Sequence, residues 1–168
     1  MKKSMLQVIK EGINRVLMKK NNINIIKHPD SAEIYQAVKF TRSLDQNIHI
    51  LQSNLSDSDD IVLRHLEIHT SPNIKAAVLY IENLIDTNIL ETSVLSPLTQ
   101  GLAQRSVEER SYLHSHIERL LTTTLSNCNT FIIENVQDAV DSILSGNGIL
   151  FIHNYPKTLS FNLSKDAA

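Results

Sequence analysis

A run of six apolar residues, from Ala76 to Ile81, constrains the fold of this chain more than any other sequence feature. An apolar run without alternation predicts a strand buried on both faces, in the interior of a sheet. The rest of the chain must therefore supply neighbouring strands and cover for both faces. With 168 residues, the chain suits one compact domain, or one domain plus a short arm.

The elements that precede this strand are mostly helical. Apolar residues recur at helical spacing, and Asp30 with Glu33 forms a capping pair. The next stretch, residues 61–69, starts irregularly and ends in alternation, so we predict a short turn of helix that leads into a strand. The helices predicted before it cover residues 4–19, about 30–41 and 43–54.

Strands alternate with helices after the apolar run. We predict first a helix over 87–95 that stops before Pro97, then a long helix from the Ser106–Glu109 capping box to about Leu125. A strand over 130–133 follows, and then a helix that Asn135 caps and a left-handed Gly146 ends. The last element is a hairpin of residues 149–153 and 158–163. This order indicates an α/β or α+β domain. Its small mixed sheet ends in a C-terminal hairpin, is packed by several helices and is preceded by a helical N-terminal arm.

Charge is unevenly distributed along the chain. Residues 1–20 carry six basic side chains against one acid, Glu11, although the net charge of the whole chain is −2. The basic start either touches an acidic surface such as lipid headgroups or is a solvated helix face, and the pattern leaves both readings open. The acidic balance after residue 20 and the aromatic content of 5% argue against a nucleic-acid partner.

The only cysteine indicates a reducing compartment, and the hydropathy pattern predicts no membrane-spanning segment. Cys128 cannot form an internal disulfide, which fits a reducing environment. No stretch approaches the 18 consecutive apolar residues that would predict a transmembrane helix. Gln7 and Lys10 interrupt the N-terminal apolar residues, so we expect no secretory signal.

Motifs for cofactors and metals are incomplete. Gly146-Asn147-Gly148 follows a helix rather than a strand, and Phe151 stands where a dinucleotide fingerprint needs its third glycine. The acidic residues of segment 57–60 resemble the start of a calcium loop, but Ile68 occupies the position of its final glutamate. We therefore expect neither a cofactor nor a metal.

Two pairs of histidines are candidates for metal ligands or catalytic bases. His65 and His69 are four residues apart, and His114 and His116 are two apart. No cysteine or acidic partner at a recognisable spacing completes a tetrahedral set. We interpret these side chains as surface histidines and predict that the chain is not an enzyme.

Several segments, in a fixed order, carry a family pattern. It combines a helix, a serine–aspartate break ending in an apolar-Arg step, a buried strand ending in a Tyr-Ile-acid run, a helix end of the Leu-Ser-Pro-Leu type, and a Leu-Ser-Gly turn into an apolar strand. The segments that match it are residues 44–51, 56–64, 75–86, 95–98 and 143–163. Together they resemble the N-terminal soluble domain of the A subunit of spore-germinant receptors, the GerA family. Where the family usually has acid-Gly, this chain has Glu82-Asn83 and His153-Asn154, and asparagine can keep a left-handed turn.

The resemblance implies a receptor built from A, B and C subunits in the spore inner membrane. This domain would lie on the cytoplasmic, core side, would need no cofactor, and would respond to small nutrients through subunit contacts and conformational coupling. The membrane-spanning part would belong to the rest of such a protein. The domains expected are a helical arm over 1–43, an α/β subdomain over 44–163 and a frayed end over 164–168.

Seven motif residues are the candidates for such contacts: Ser56, Asp60, Arg64, Tyr80, Glu82, Asp86 and Gly146. We predict an ion pair between Arg64 and Asp86, because each lies in one of the two motif segments. The alternative function is small-ligand binding in a cleft shared with a second subdomain, since open α/β sheets bind ligands at strand ends.

Overall fold

The computed structural model describes Ser4, residues 38–55 and residues 58–164. The helix predicted over 4–19 and most of that over 30–41 lie outside the described residues. Five strands form one sheet, with helices packed on both faces. The strands are β1 Ile61–Ile68, β2 Ile74–Ile81, β3 Thr130–Ile133, β4 Asn147–Ile152 and β5 Thr158–Asn162, and the helices are α1 Leu44–Asn54, α2 Thr87–Ile89, α3 Val107–Ser115, α4 Ile117–Thr124 and α5 Val136–Leu144.

The sheet is antiparallel throughout. Its strand order is β1-β2-β4-β5-β3, and every neighbouring pair runs antiparallel. The α/β or α+β class and the C-terminal hairpin are confirmed, whereas the expected mixed pairing is corrected. Short turns join β1 to β2 and β4 to β5. Because a short turn reverses the direction of the chain, the two strands that it joins pair antiparallel.

Strand β2 is buried on both faces, as its apolar run predicts. Val78 and Tyr80 lie in a first core, and Ala77 and Leu79 lie in a second core on the opposite face. The first core is covered by the helical stretch of residues 87–125, and the second by α1 and α5. The molecule therefore has three layers, with the sheet in the middle.

Residues 38–41 are extended, which corrects the helix predicted to run through about Thr41. The N–H of Thr41 donates to Oδ1 of the buried Asn47 at 2.8 Å, and Nδ2 of Asn47 donates to the Thr41 carbonyl at 2.7 Å. An internal helical residue would have these backbone groups occupied, so the side chain of Asn47 holds the segment in its extended form. The domain boundary at residue 43 stays a prediction, although Phe40 packs in the second core.

The turn of helix expected at the start of residues 61–69 is also wrong. All eight residues of β1 pair with β2, from Ile61 opposite Ile81 to Ile68 opposite Ile74. Strand β1 lies at the edge of the sheet, where several of its side chains are exposed. Partial exposure interrupts the alternation that would have identified the strand along its whole length.

The helix predicted to stop before Pro97 continues past it. Helix α2 runs into wider π-helical turns over Leu90–Leu95 and Pro97–Gly101. In π-helical turns each N–H donates to the carbonyl five residues earlier, as that of Ser96 does to Glu91, so Pro97 leaves the Thr92 carbonyl without its helical donor. The neighbouring Ser93 carbonyl accepts a hydrogen bond from Cys128 Sγ at 3.4 Å, which ties this helical stretch to the segment after α4.

The long helix predicted after Ser106 is interrupted at His116, which has φ −129° and ψ 68°. The His116 N–H donates to the Leu113 carbonyl at 3.1 Å, and the His116 ring nitrogen Nδ1 lies 2.7 Å from the Tyr112 carbonyl oxygen. The ring thus occupies the Tyr112 carbonyl in place of the His116 N–H, and α3 ends there. The N-caps predicted at Ser106 and Asn135 are confirmed, since Ser106 accepts from the Glu109 N–H and Asn135 from the Asp138 N–H, whereas the Asp30–Glu33 pair lies outside the described residues.

Candidate functional site at one end of the sheet

Four of the seven motif candidates meet at one end of the sheet. At this end, which we call the Gly146 end, β1 and β4 begin and β2 and β5 finish. Asp60, Glu82, Asp86 and Gly146 lie in the segments that enter or leave these strands. The sequence pattern therefore singles out residues that are far apart in the chain and close together in the fold.

Asp60 and Glu82 extend the pairing of β1 and β2 at the open end of the hairpin, opposite the turn that joins the two strands. The Glu82 N–H donates to the Asp60 carbonyl at 2.8 Å, one step beyond the paired Ile61 and Ile81. Residues Glu82–Leu84 then form a 3₁₀ turn. Asn83 lies within this turn and has no left-handed backbone, whereas Asn154, the other asparagine that replaces a family glycine, has φ +64°.

Asp86 joins the turn to α2 and to the last strand. Its carboxylate oxygen Oδ1 accepts from the N–H groups of Asn88 at 2.9 Å and Ile89 at 3.4 Å, which caps the helix. Its own N–H donates to the Leu163 carbonyl at 2.7 Å. The preceding residue, Ile85, forms a β-bridge with Ser164. Asp86 therefore has a structural role in this end of the sheet.

Gly146 ends α5 with the left-handed backbone that the sequence predicts, at φ +86°. A Cβ atom at this position would lie 3.2 Å from the Leu84 carbonyl oxygen and 3.4 Å from Ser164 Cβ. Both the backbone angle and the space against the 3₁₀ turn therefore favour glycine.

Replacing Gly146 with alanine is expected to lower the free energy of unfolding by about 1–2 kcal/mol, because alanine resists a left-handed backbone. Urea denaturation measures the loss. Gly146→Asn is the matched control and should cost less, since asparagine adopts this conformation more readily. An alanine variant as stable as the parent protein would contradict the assignment.

Arg64 pairs with Glu91 rather than with Asp86, so the predicted ion pair is wrong. The Arg64 Nη1 atom lies 3.3 Å from Glu91 Oε2, and both side chains are about half exposed. Asp86 is engaged with backbone N–H groups instead. Glu91 follows the motif segment by several residues, and nothing in the sequence distinguishes it from other exposed acids.

The coupling free energy between Arg64 and Glu91 is expected to be below about 1 kcal/mol, because exposed ion pairs are screened by water. A double-mutant cycle with Arg64→Gln and Glu91→Gln measures it. The parallel cycle with Arg64→Gln and Asp86→Asn should give no coupling. A larger coupling in the second cycle would restore the pairing that the sequence suggested.

The two remaining candidates lie elsewhere. Tyr80 is 5% exposed and packs in the first core, where its ring supports the sheet. Ser56 lies outside the described residues. The seven candidates thus include four at the Gly146 end, one in an ion pair on the face of β1, one in the core and one without a described position.

A groove of about 340 Å³ opens beside the 3₁₀ turn. Its walls are largely apolar, and Leu84 at its rim is 40% exposed. The residues lining it are Leu55, Ser58, Asp60, Ile61, Ile81, Asn83, Leu84 and Leu144. Leu84 is the residue here that sequence reasoning missed, because one exposed leucine has no signature in the pattern.

The candidate histidine ligands lie in separate parts of the fold. In the part of the chain that the structure describes, no three His, Cys, Asp or Glu side chains are placed to hold a metal ion. The His114 Nδ1 atom lies 2.8 Å from the Pro72 carbonyl oxygen, which ties α3 to the turn between β1 and β2. His65 is exposed near the middle of β1, opposite Ala77 of β2.

Cys128 is half-buried against the first core, as the sequence interpretation expects of a small structural residue. Burial raises the pKa of its thiol, and a hydrogen bond from the side chain of Ser93 acts against that shift. A thiol with a raised pKa is mostly protonated at neutral pH, so it is a poor nucleophile.

The fold defines the class of protein domain: a three-layer α/β domain built on one antiparallel sheet. A family model described as Bacillus/Clostridium GerA spore germination protein matches residues 49–168. The chain belongs to this family of spore germination proteins.

One curated relative and one solved structure are consistent with this assignment. Spore germination protein KA of Bacillus subtilis (strain 168) is 24% identical over 123 residues, which cover 73% of this chain. The chain spans only 21% of the length of that protein. The crystal structure of the N-terminal domain of the A subunit of the Bacillus megaterium spore germinant receptor GerK3 matches with a TM-score of 0.57 at 23% identity, over 77% of this chain and 49% of that one. This likeness confirms the fold.

No helix within residues 38–55 and 58–164 is long and apolar enough to cross a membrane.

Proposed function

We propose that this chain acts in spore germination as the N-terminal domain of a germinant receptor A subunit. The observation that carries the proposal is the family match over residues 49–168 together with the fold of the GerK3 N-terminal domain. The domain works through contacts with other receptor subunits, of the B and C types, at the inner membrane of the spore. It lies on the cytoplasmic, core side.

The Gly146 end is the surface that we assign to those contacts. It brings together the motif residues Asp60, Glu82, Asp86 and Gly146, whose hydrogen bonds and backbone angles fix its shape. Leu84 adds an exposed apolar side chain beside the groove. Exposed apolar side chains next to a concave apolar surface are typical of protein interfaces.

Deletion of the coding segment in the host tests the overall role. Release of dipicolinic acid is followed after addition of amino acids or sugars. Loss of the response to one nutrient class, with a normal response to a non-nutrient trigger, would support the proposal. An unchanged response to every nutrient would contradict it.

A single substitution tests the assigned surface. Leu84→Asp places a charge beside the groove and should impair nutrient-triggered germination while the purified domain stays folded. Val107→Asp is the matched control, because Val107 is 61% exposed and begins α3, where an acidic side chain favours the helix. Equal germination of spores carrying either variant would exclude the Gly146 end as the contact surface.

The alternative function, binding of a small nutrient in a cleft with a second subdomain, stays a prediction. Calorimetric titration of a longer form of the protein with a nutrient panel tests it. Heat of binding that Leu84→Asp abolishes would favour this alternative over subunit contacts.

A further inference from the structure

A second concave surface lies at the end of the sheet opposite to Gly146. It has a volume of about 540 Å³ and lies between the start of α1, the β1–β2 hairpin and the residue after β4. An adjoining concavity of about 390 Å³ shares Lys75 and His153 with it. Neither surface contains any of the seven motif residues, so the proposed function leaves this end of the molecule without a role.

Lys75 is a cation without an ionic partner in this concavity. The ion pairs among the described residues involve Arg64, Arg105 and Lys157, and Lys75 takes part in none of them. Its cross-strand neighbour is Glu67, which would be the natural partner.

The Glu67 carboxylate instead accepts a hydrogen bond from Asn73 Nδ2 at 3.1 Å. The Lys75 ammonium group is therefore left to interact with solvent or with a ligand. The Lys75 side chain is exposed where it lines the concavity, and an ammonium group without an ionic partner attracts a negatively charged group.

Two histidines line the concavity beside Lys75. His65 stands on β1, and His153 follows β4 directly. The His153 N–H donates to the Lys75 carbonyl at 2.9 Å, which fixes the two residues next to each other. Imidazole rings donate hydrogen bonds to oxygen acceptors and gain positive charge when they are protonated.

The backbone around these side chains is held in place before any ligand arrives. Arg42 Nη1 donates to the Asn154 carbonyl at 2.9 Å, and the Asn154 N–H donates to the Arg42 carbonyl at 2.9 Å. This double link fastens the start of α1 to the β4–β5 turn that carries His153. A fixed backbone lowers the entropic cost of binding a small ligand.

Two acids limit what the concavity can accept. Asp45 and Glu67 also border it, and their charge repels any ligand whose negative charge is large or extended. A single compact anionic group carries less charge for the two carboxylates to repel than an extended one does. From these observations we propose that the concavity binds one small oxyanion, the carboxylate or phosphate group of a soluble molecule, through Lys75, His65 and His153.

Titration of the whole chain with inorganic phosphate, followed by the amide resonances in nuclear magnetic resonance spectra, tests the proposal. Shifts should concentrate at Leu44, Lys75 and His153, and sodium chloride at the same ionic strength should not produce them. Lys75→Gln should weaken the apparent affinity for phosphate by about tenfold. Lys39→Gln removes the same charge from an exposed lysine outside the concavity, and should change the affinity by less than about twofold.

A comparison with inorganic triphosphate separates a built site from a diffuse basic surface. The site should bind triphosphate no more tightly than phosphate, because Asp45 and Glu67 oppose the additional charge. Tighter binding of triphosphate, equal effects of the two lysine substitutions, or the absence of phosphate-dependent shifts at Lys75 and His153 would each overturn the proposal. None of these outcomes depends on germination, so the oxyanion site and the proposed function can fail independently.

Discussion

Replacing Phe151 with alanine is expected to lower the free energy of unfolding by about 3–5 kcal/mol, since a buried aromatic ring leaves both lost burial and a cavity. Phe151 is fully buried on β4, with Ala77 of β2 and Thr158 of β5 opposite it. Its ring meets that of Phe40 edge to face, with 6.0 Å between ring centroids. The second core therefore loses a contact that joins the sheet to the segment before α1.

Phe131→Ala is the matched control for this prediction. Phe131 lies on the edge strand β3 and is 57% exposed, so the same change should cost less than about 1 kcal/mol. Urea denaturation of both variants measures the difference. Similar losses at the two positions would show that the second core relaxes around the missing ring.

Gly148→Ala has the second largest expected effect, a loss of about 2–3 kcal/mol, because an added methyl group would overpack the first core. A Cβ atom at Gly148 would lie 2.5 Å from Phe161 Cε2 and 2.9 Å from Leu163 Cδ1. Phe161 is the cross-strand partner of Gly148, and both Phe161 and Leu163 are fully buried. Neither side chain can therefore move into solvent to relieve the close contact.

Gly101→Ala provides the comparison for Gly148→Ala. Gly101 lies in the helical stretch after α2, and a Cβ atom there would meet only the Ser96 carbonyl oxygen, at 3.6 Å. Alanine should be neutral at this position or stabilise the protein by up to about 1 kcal/mol. The double variant Gly148→Ala with Phe161→Leu should recover part of the stability, since the smaller side chain frees space. If Gly148→Ala alone unfolds at the same urea concentration as Gly101→Ala, the close contact with Phe161 does not constrain the fold.

The sequence predicted those elements whose structure depends on residues that are close together in the chain. The run from Ala76 to Ile81 identified an interior strand, because both of its faces are buried. Asn135 and Gly146 marked the ends of α5, since capping and left-handed geometry depend on a few adjacent residues. Strand β3 was likewise predicted with its observed bounds.

Features that depend on distant residues could not be predicted in this way. Gly148 must be a glycine because of Phe161, and Arg64 pairs with Glu91 because a helical turn packs beside β1. The break at His116 depends on a side chain that competes with the backbone for one carbonyl group. The candidate site shows the same division, since the motif identified Asp60 and Gly146, whereas Leu84 became apparent only from its exposure in the fold.

The contacts at the Gly146 end also define a mechanical path. Ile85 is bridged to Ser164, and the Asp86 N–H is bonded to the Leu163 carbonyl, so the last described residues are fastened directly to the start of α2. A load applied at Ser164 would pass into β5 through the covalent chain and, through these backbone links, also into α2 and the helical layer over the first core. Displacement of the segment after β5 would therefore act on two layers of the domain at once.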